Sequence, residues 1–214
     1  MTTQLAGFTT ANIMEVEANT KAARSVLRPD DYGSLGIYRV GGPSGVVAAA
    51  AVTTTMFSFR YGGANLCLVK RVLFSAGSIL AFAAGVGVFQ MFAARSFSAS
   101  DTGGTSLLPS GNQNKMRTSM ATTGMTDIRI ATTATLTAGT RTLDTNAVGT
   151  IVVGIPAVAG TIVVPAGTPL LDQRPCEHPL VLANNEGFVI SAVVPITGTW
   201  TFGVQVDYLE LAAY

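Results

Sequence analysis

Residues 180–210, LVLANNEGFVISAVVPITGTWTFGVQVDYLE, carry the clearest structural pattern in the chain. Trp200, Phe202, Val204, Val206 and Tyr208 alternate with Thr199, Thr201, Gly203, Gln205 and Asp207, the period of two expected of a strand with one face buried. Phe188, Ile190, Ala192 and Val194 alternate in the same way. Between the two runs Pro195 has no amide to give a ladder and Gly198 tolerates positive φ, so the chain is expected to turn at 195–198. The two runs are then read as a closing β-hairpin. A slip of one residue would move Trp200, Phe202 and Val204 into water, so that face fixes the register.

Working outward, Phe57, Phe59 and Tyr61 alternate with Ser58 and Arg60 ahead of Gly62-Gly63. Two glycines suit a two-residue turn, which predicts an antiparallel return over 64–74. Residues 72–94 carry no charge and match the length of a membrane span, about 20 residues. Gly77, Gly85 and Gly87, with Ser75, Ser78 and Gln90, divide this run into strand-sized pieces, so two buried strands are expected rather than a transmembrane helix. Further strands are expected at 127–132, within the Thr-rich 134–143 with a turn at Gly139, at 149–154 and at 161–164, because branched Cβ atoms suit a pleated backbone. Pro156 and Pro165 place the last two near a sheet edge, where a missing donor is tolerated. Residues 170–179 are read as a link, and Asn184-Asn185-Glu186-Gly187 as a turn using Asn and Gly at positive φ.

About eight strands, little helix and no βαβ alternation make the chain all-β. A jelly-roll-like antiparallel β-sandwich is the expected member, with immunoglobulin-like and barrel topologies as the others in the class. The domain is expected over 46–214, preceded by an extended N-terminal arm over 1–45. Within the arm, Glu15, Glu17, Lys21 and Arg24 suggest a short helix, Arg28 to Gly33 a turn, Ile37 to Val40 a short strand and Gly41 to Gly45 a flexible link. Residues 98–121 form a long Gly-, Ser- and Thr-rich connection, a length often associated with binding, in which Lys115 and Arg117 offer pairing to acids on a partner.

A chain of 214 residues can bury a core without staples. Its charged fraction is 12%, against about 25% in an average soluble domain, while 48% is hydrophobic. So uncharged an exterior implies cover by neighbouring subunits. The net charge of +1, without a basic run, argues against a nucleic-acid partner, and no membrane partner is expected. The opening MTTQLAGFTT lacks the basic start and apolar core of a secretory signal.

The search for chemistry assigns no catalytic, cofactor-binding or metal-ligating residue. Cys67 and Cys176 are read as free, buried thiols, although their spacing leaves a bridge open. His178 is the single histidine; with Cys176 it lacks the third and fourth ligands of a metal site, and no G-x-S-x-G turn supplies it with a nucleophile. Asp30-Asp31 sit beside Arg28 in a turn, and Asp207 and Glu210 are placed toward solvent. Gly85-Val86-Gly87 lacks the rest of a dinucleotide fingerprint.

The segments AARSFSASDTGG (93–104), NKMRTSM (114–120), DIRIATTATLTAGTRTLD (127–144), LANNEGFVI (182–190) and GTWTFGVQVDYLE (198–210) resemble, in that order, virion structural proteins of tailed bacteriophages. The likeness spans roughly residues 20–214 and carries no catalytic signature. It implies a non-enzymatic capsid decoration or cement protein in the phage head, a homotrimer of jelly-roll subunits seated over joints between major capsid proteins. A tail, baseplate or fibre component is the alternative, in which Tyr61 and Tyr214 would be sheet-edge aromatics touching host glycans.

Overall fold

The computed structural model describes residues 4–6, 13–16, 23–24, 34–155, 161–173 and 178–212, the first three segments as backbone only. The chain divides into two compact units, Met1–Gly33 and Ser34–Tyr214. In the first, β1 (Gln4–Ala6), β2 (Ile13–Val16) and β3 (Ala23–Arg24) form an antiparallel sheet in that order. Glu15 lies in β2, opposite Gln4 and Arg24, so the helix expected around it is replaced by strand pairing. Glu17, Lys21 and the turn from Arg28 to Gly33 lie outside the described residues.

The second unit contains β4 (Gly36–Pro43), β5 (Val47–Ala48), β6 (Thr54–Tyr61), β7 (Leu66–Leu80), β8 (Gly85–Phe97), β9 (Thr105–Ser106), β10 (Met125–Ile130), β11 (Arg141–Leu143), β12 (Gly149–Ile155), β13 (Val163–Asp172), β14 (Leu180–Leu182), β15 (Gly187–Val193) and β16 (Thr199–Leu211). The described residues form no helix, and every strand pair is antiparallel. One sheet runs β13-β7-β16-β4, with β14 continuing the lane of β13 along β7 and β5 continuing that of β4 along β16. The other runs β8-β15-β6-β10-β9, with β11 and β12 sharing the free side of β8. The unit is an all-β sandwich with four main lanes in each sheet, and β9 and β10 extend the second.

Both hairpins expected from the sequence are arches between sheets. β15 pairs with β6 and β8, whereas β16 pairs with β4, β5 and β7. Residues 194–198 therefore cross the core, and Phe188 and Ile190 meet the β16 face across it instead of lying beside that face. The turn itself forms as expected, with Gly198 at φ +100°. The Gly62-Gly63 turn likewise leads from β6 in one sheet to β7 in the other. Neither glycine has positive φ, so the two-residue hairpin geometry is absent. Side-chain crowding explains the glycines instead: a Cβ on Gly62 would meet Thr126, and one on Gly63 the ring of Tyr61.

Other expectations shift by a few residues for physical reasons. Ile37 to Val40 form the expected strand, and Gly41 to Pro43, read as the start of a flexible link, continue it, because β4 pairs residue for residue with β16 from Gly36–Glu210 to Pro43–Gly203. The boundary between units accordingly falls at Gly33, ahead of position 45. The charge-free run becomes the end of β7 and most of β8, separated at 81–84. β13 continues through Pro165 and Pro169 to Asp172, where a link was expected; it is an edge strand with two register shifts, and Gly167 at φ +81° sits in the first. Bulges and an unpaired outer side are what let proline stay in a strand. Asn185, at φ 62°, makes the expected turn before β15.

The long connection 98–121 is held by its own chain. Ser98 and Ala99 donate to the Thr140 carbonyl at 2.9 and 3.3 Å, and Thr102 and Thr137 exchange backbone bonds of 2.9 and 3.0 Å. This pair of segments lies over the outward face of the β8–β15 sheet, where Ala94, Phe97 and Val189 form a second apolar cluster with Phe92 and Leu143. Farther on, Asn114 accepts from the Arg39 amide (3.0 Å), Met116 donates to Ile37 (3.0 Å) and Ala121 to Leu35 (3.2 Å), covering the edge left open by β4. Sheet edges covered in this way are protected from pairing with other chains. Lys115 is tied inside the loop to Asn112 and the Met120 carbonyl, at 3.0 and 2.9 Å.

Between the sheets, Trp200, Phe202, Phe74 and Phe89 pack at one end of the core and Tyr38, Tyr208, Phe59, Phe57 and Phe188 at the other, with ring centroids 4.8–5.9 Å apart. Gly187 starts β15 where a Cβ would run into the Phe59 carbonyl oxygen of the neighbouring strand. Backbone has little room to give at that point. Gly187→Ala is therefore expected to cost about 2–3 kcal/mol, within the range of overpacked cores, measured as a lower urea midpoint at unchanged slope.

Candidate functional site

Glu210 has the parity of Trp200 along β16, so it points inward. It is 2% exposed, which corrects its expected place in solvent. Its Oε1 accepts from the Thr123 hydroxyl at 2.6 Å and from the Gly124 amide at 2.9 Å, and Thr123 also meets the Tyr208 hydroxyl at 3.1 Å. Tyr38 donates to the Ala121 carbonyl at 2.8 Å, and Cys67, a free thiol, is buried nearby. Burial raises Glu210 above the ordinary carboxyl range, with the Thr123 and Gly124 bonds offsetting part of the rise. Burial, then the Glu210 charge, pushes the Tyr38 phenol up to about 12, and the same two causes raise Cys67. A thiol held protonated in this way is a poor nucleophile. The cluster pins residues 121–125 to the sandwich and lacks an activated group.

A carboxyl whose folded pKa is raised contributes stability that is complete below its unfolded value, near 4.3, and lost as pH rises through the folded one. Gln at 210 keeps the acceptor oxygen and removes the charge. Glu210→Gln is thus expected to be more stable than wild type at pH 8, by on the order of 1 kcal/mol, with the difference shrinking below pH 4. Thermal unfolding of both proteins from pH 3 to pH 8 checks the sign.

On the outward face of the same sheet, Asp207 of β16 stands directly opposite Arg39 of β4 and Arg71 of β7. Arg39 Nε and Nη2 donate at 2.7 and 3.0 Å, and Arg71 Nη2 at 2.6 Å. Burial works to raise Asp207, but the two guanidinium groups outweigh it and hold the carboxyl below its usual range. Asp207 is therefore partly buried and doubly paired, where the sequence placed it free in solvent. Beside this triad runs a trough of about 560 Å³ whose floor is Gly41, Gly203, Leu73 and Ser75 and whose walls are Pro43, Asn114 and Gly167. The glycines leave the backbone bare on its floor, and no titratable pair faces across it.

At one end of the sandwich, three connections cross between sheets, 49–53, 81–84 and 194–198, and the end of β12 and the start of β13 lie at the same end. They fall within the runs 40–59, 72–94, 145–171 and 187–206, none of which contains Asp, Glu, Lys, Arg or His. Sequence reading identified one of these runs; the fold brings all four to the same pole. Among the described residues, the large aliphatic side chains more than half exposed are Val52, Ile79, Leu80, Val86, Val152, Val163 and Ile196. All but Val152 lie in these connections, within two residues of them or, as Val163, at the start of β13. The loops brace one another: Ala49 donates to the Gly198 carbonyl (3.1 Å), Val194 to that of Ala50 (3.0 Å) and the Ala83 amide to the Thr197 hydroxyl (2.8 Å). Phe82 is buried beneath them. This pole is the candidate functional surface, an apolar patch of a kind that marks interaction sites.

The residues weighed from the sequence do not converge on a catalytic centre. His178 Nδ1 lies 2.8 Å from the Pro179 carbonyl, Cys176 and Asp30-Asp31 are outside the described residues, and no group of three His, Cys, Asp or Glu side chains suited to a metal occurs among the described ones. Tyr61 is buried in the core rather than at a sheet edge, and Tyr214 is outside the described residues. No described helix is long and apolar enough to cross a membrane. No family model, curated protein or solved structure matches the chain.

Proposed function

We propose that the chain is a non-enzymatic structural protein of a phage particle, a capsid decoration or cement subunit that binds over joints between major capsid proteins. The observation that carries the reading is the exposed, uncharged pole. A lone soluble domain gains nothing from six bared aliphatic side chains at one end, whereas a subunit in a shell has a neighbour to cover them. The jelly-roll connectivity expected from the sequence is supported by the strand orders β4-β16-β7-β13 and β6-β15-β8-β12, in which successive main strands alternate between sheets except at the step from β8 to β12, which pair within one sheet. Jelly rolls recur in capsid domains, a likeness of architecture. The sequence resemblance to tailed-phage virion proteins points the same way.

Immunogold labelling of intact particles of the source phage tests this. Label over the heads is the expected result. Label confined to tails or baseplates would favour the alternative, and particles without label would overturn both.

A further inference from the structure

We propose that the uncharged pole is where copies of this chain meet one another, pole to pole around a rotation axis. The inference rests on the structural reading above and specifies the surface which that reading leaves open. The first ground is charge. Any ionised group pressed against this pole would lose its water and gain no counter-charge, so the covering surface must itself be free of charge. Elsewhere on the sandwich the outward faces and rims carry Arg39, Arg71, Asp207, Arg95 and Asp144. The pole itself meets the requirement, and rotational symmetry makes one patch its own partner.

The second ground is extent and form. Six aliphatic side chains, each more than half exposed, lie in or beside three arches and the start of β13, the apolar composition of an interface core. Because the arches are cross-braced by backbone bonds and seated on Phe82, little ordering remains to be done on association. A lipid surface fits less well, since the described arches contain no Trp, Tyr, Lys or Arg to anchor at headgroup level.

The test uses the full chain and light scattering over a wide concentration range, with Ile196→Glu and Leu80→Glu as variants. These side chains are 73% and 62% exposed, so the monomer fold should tolerate both changes, checked by circular dichroism and thermal midpoint. Wild type is expected to be an oligomer, and each glutamate to weaken its association at least about a hundredfold, the effect of burying an unpaired charge. Ser106→Glu, exposed on β9, is expected to leave association unchanged. A wild-type monomer at every concentration, or an oligomer indifferent to both pole variants, would overturn the proposal. So would a monomer that binds neutral phosphatidylcholine vesicles and loses that binding in Ile196→Glu, which would assign the pole to lipid. Particle labelling is independent: labelled heads with a monomeric chain refute self-association alone, and an unlabelled particle with a pole-dependent oligomer refutes the virion role alone.

Discussion

Replacing Arg141 by Met is expected to lower the unfolding free energy by about 3–5 kcal/mol, the cost of leaving one member of a buried ion pair without its partner. Asp101 is fully buried and Arg141 nearly so. Asp101 Oδ1 accepts from the Arg141 guanidinium and from the Gly139 amide, the latter at 2.7 Å, while Arg141 Nη2 donates to Thr55 Oγ1 at 2.7 Å. The pair thus ties both halves of the segment crossing the outer sheet face to β6. Burial lowers the Arg141 pKa, the direction expected when a cation leaves water, but Arg remains protonated at any pH where the fold is studied. With Met in place, the buried Asp101 carboxyl loses its neutralising partner and keeps the Gly139 amide. Adding Asp101→Leu to Arg141→Met should then recover much of the loss, since well-packed apolar replacements of buried pairs are often neutral. Urea unfolding of the two variants distinguishes charge burial from lost packing. A single Arg141→Met within about 1 kcal/mol of wild type would show that the pair contributes little.

Trp200→Ala is expected to cost about 3–5 kcal/mol, the range for removing a fully buried large aromatic. Trp200 is completely buried on the inner face of β16, with ring centroids of Phe89 and Phe202 at 5.4 and 5.1 Å. It touches both sheets, so a cavity there removes contacts that hold the layers together. For a domain of this size, the thermal midpoint should fall by roughly 10 °C. Trp200→Phe should cost far less, because the indole N–H has no hydrogen-bond partner and a phenyl ring keeps most of the contact. A Phe variant as unstable as the Ala variant would mean that the site requires the indole shape and not its apolar bulk.

The two variants probe different layers of the same design. Trp200 joins the sheets from within, whereas Asp101 and Arg141 fasten the long connection from outside. Pole variants, by contrast, are expected to separate assembly from stability.

Sequence alone determined which residues face the core and that the body is stranded. Phe188, Ile190, Ala192, Val194 and the even-numbered residues from Trp200 to Tyr208 are all buried, because alternation along a strand is a local property of the pleat. The turns at Asn185 and Gly198 were legible for the same reason, since positive φ is a demand on a single residue. Pairing was not legible. An apolar face needs an opposing apolar face, and it gains the same burial whether its sequence neighbour lies beside it in one sheet or across the core in the other. The arches at 62–65 and 194–198 were therefore read as hairpins. Glu210 shows the converse: its parity already pointed inward, but only the fold supplies Thr123 and Gly124 to receive it. The low charge content signalled a covered surface without locating it. Only the crossing of strands between sheets gathers charge-free runs, far apart in the chain, onto a single end of the molecule.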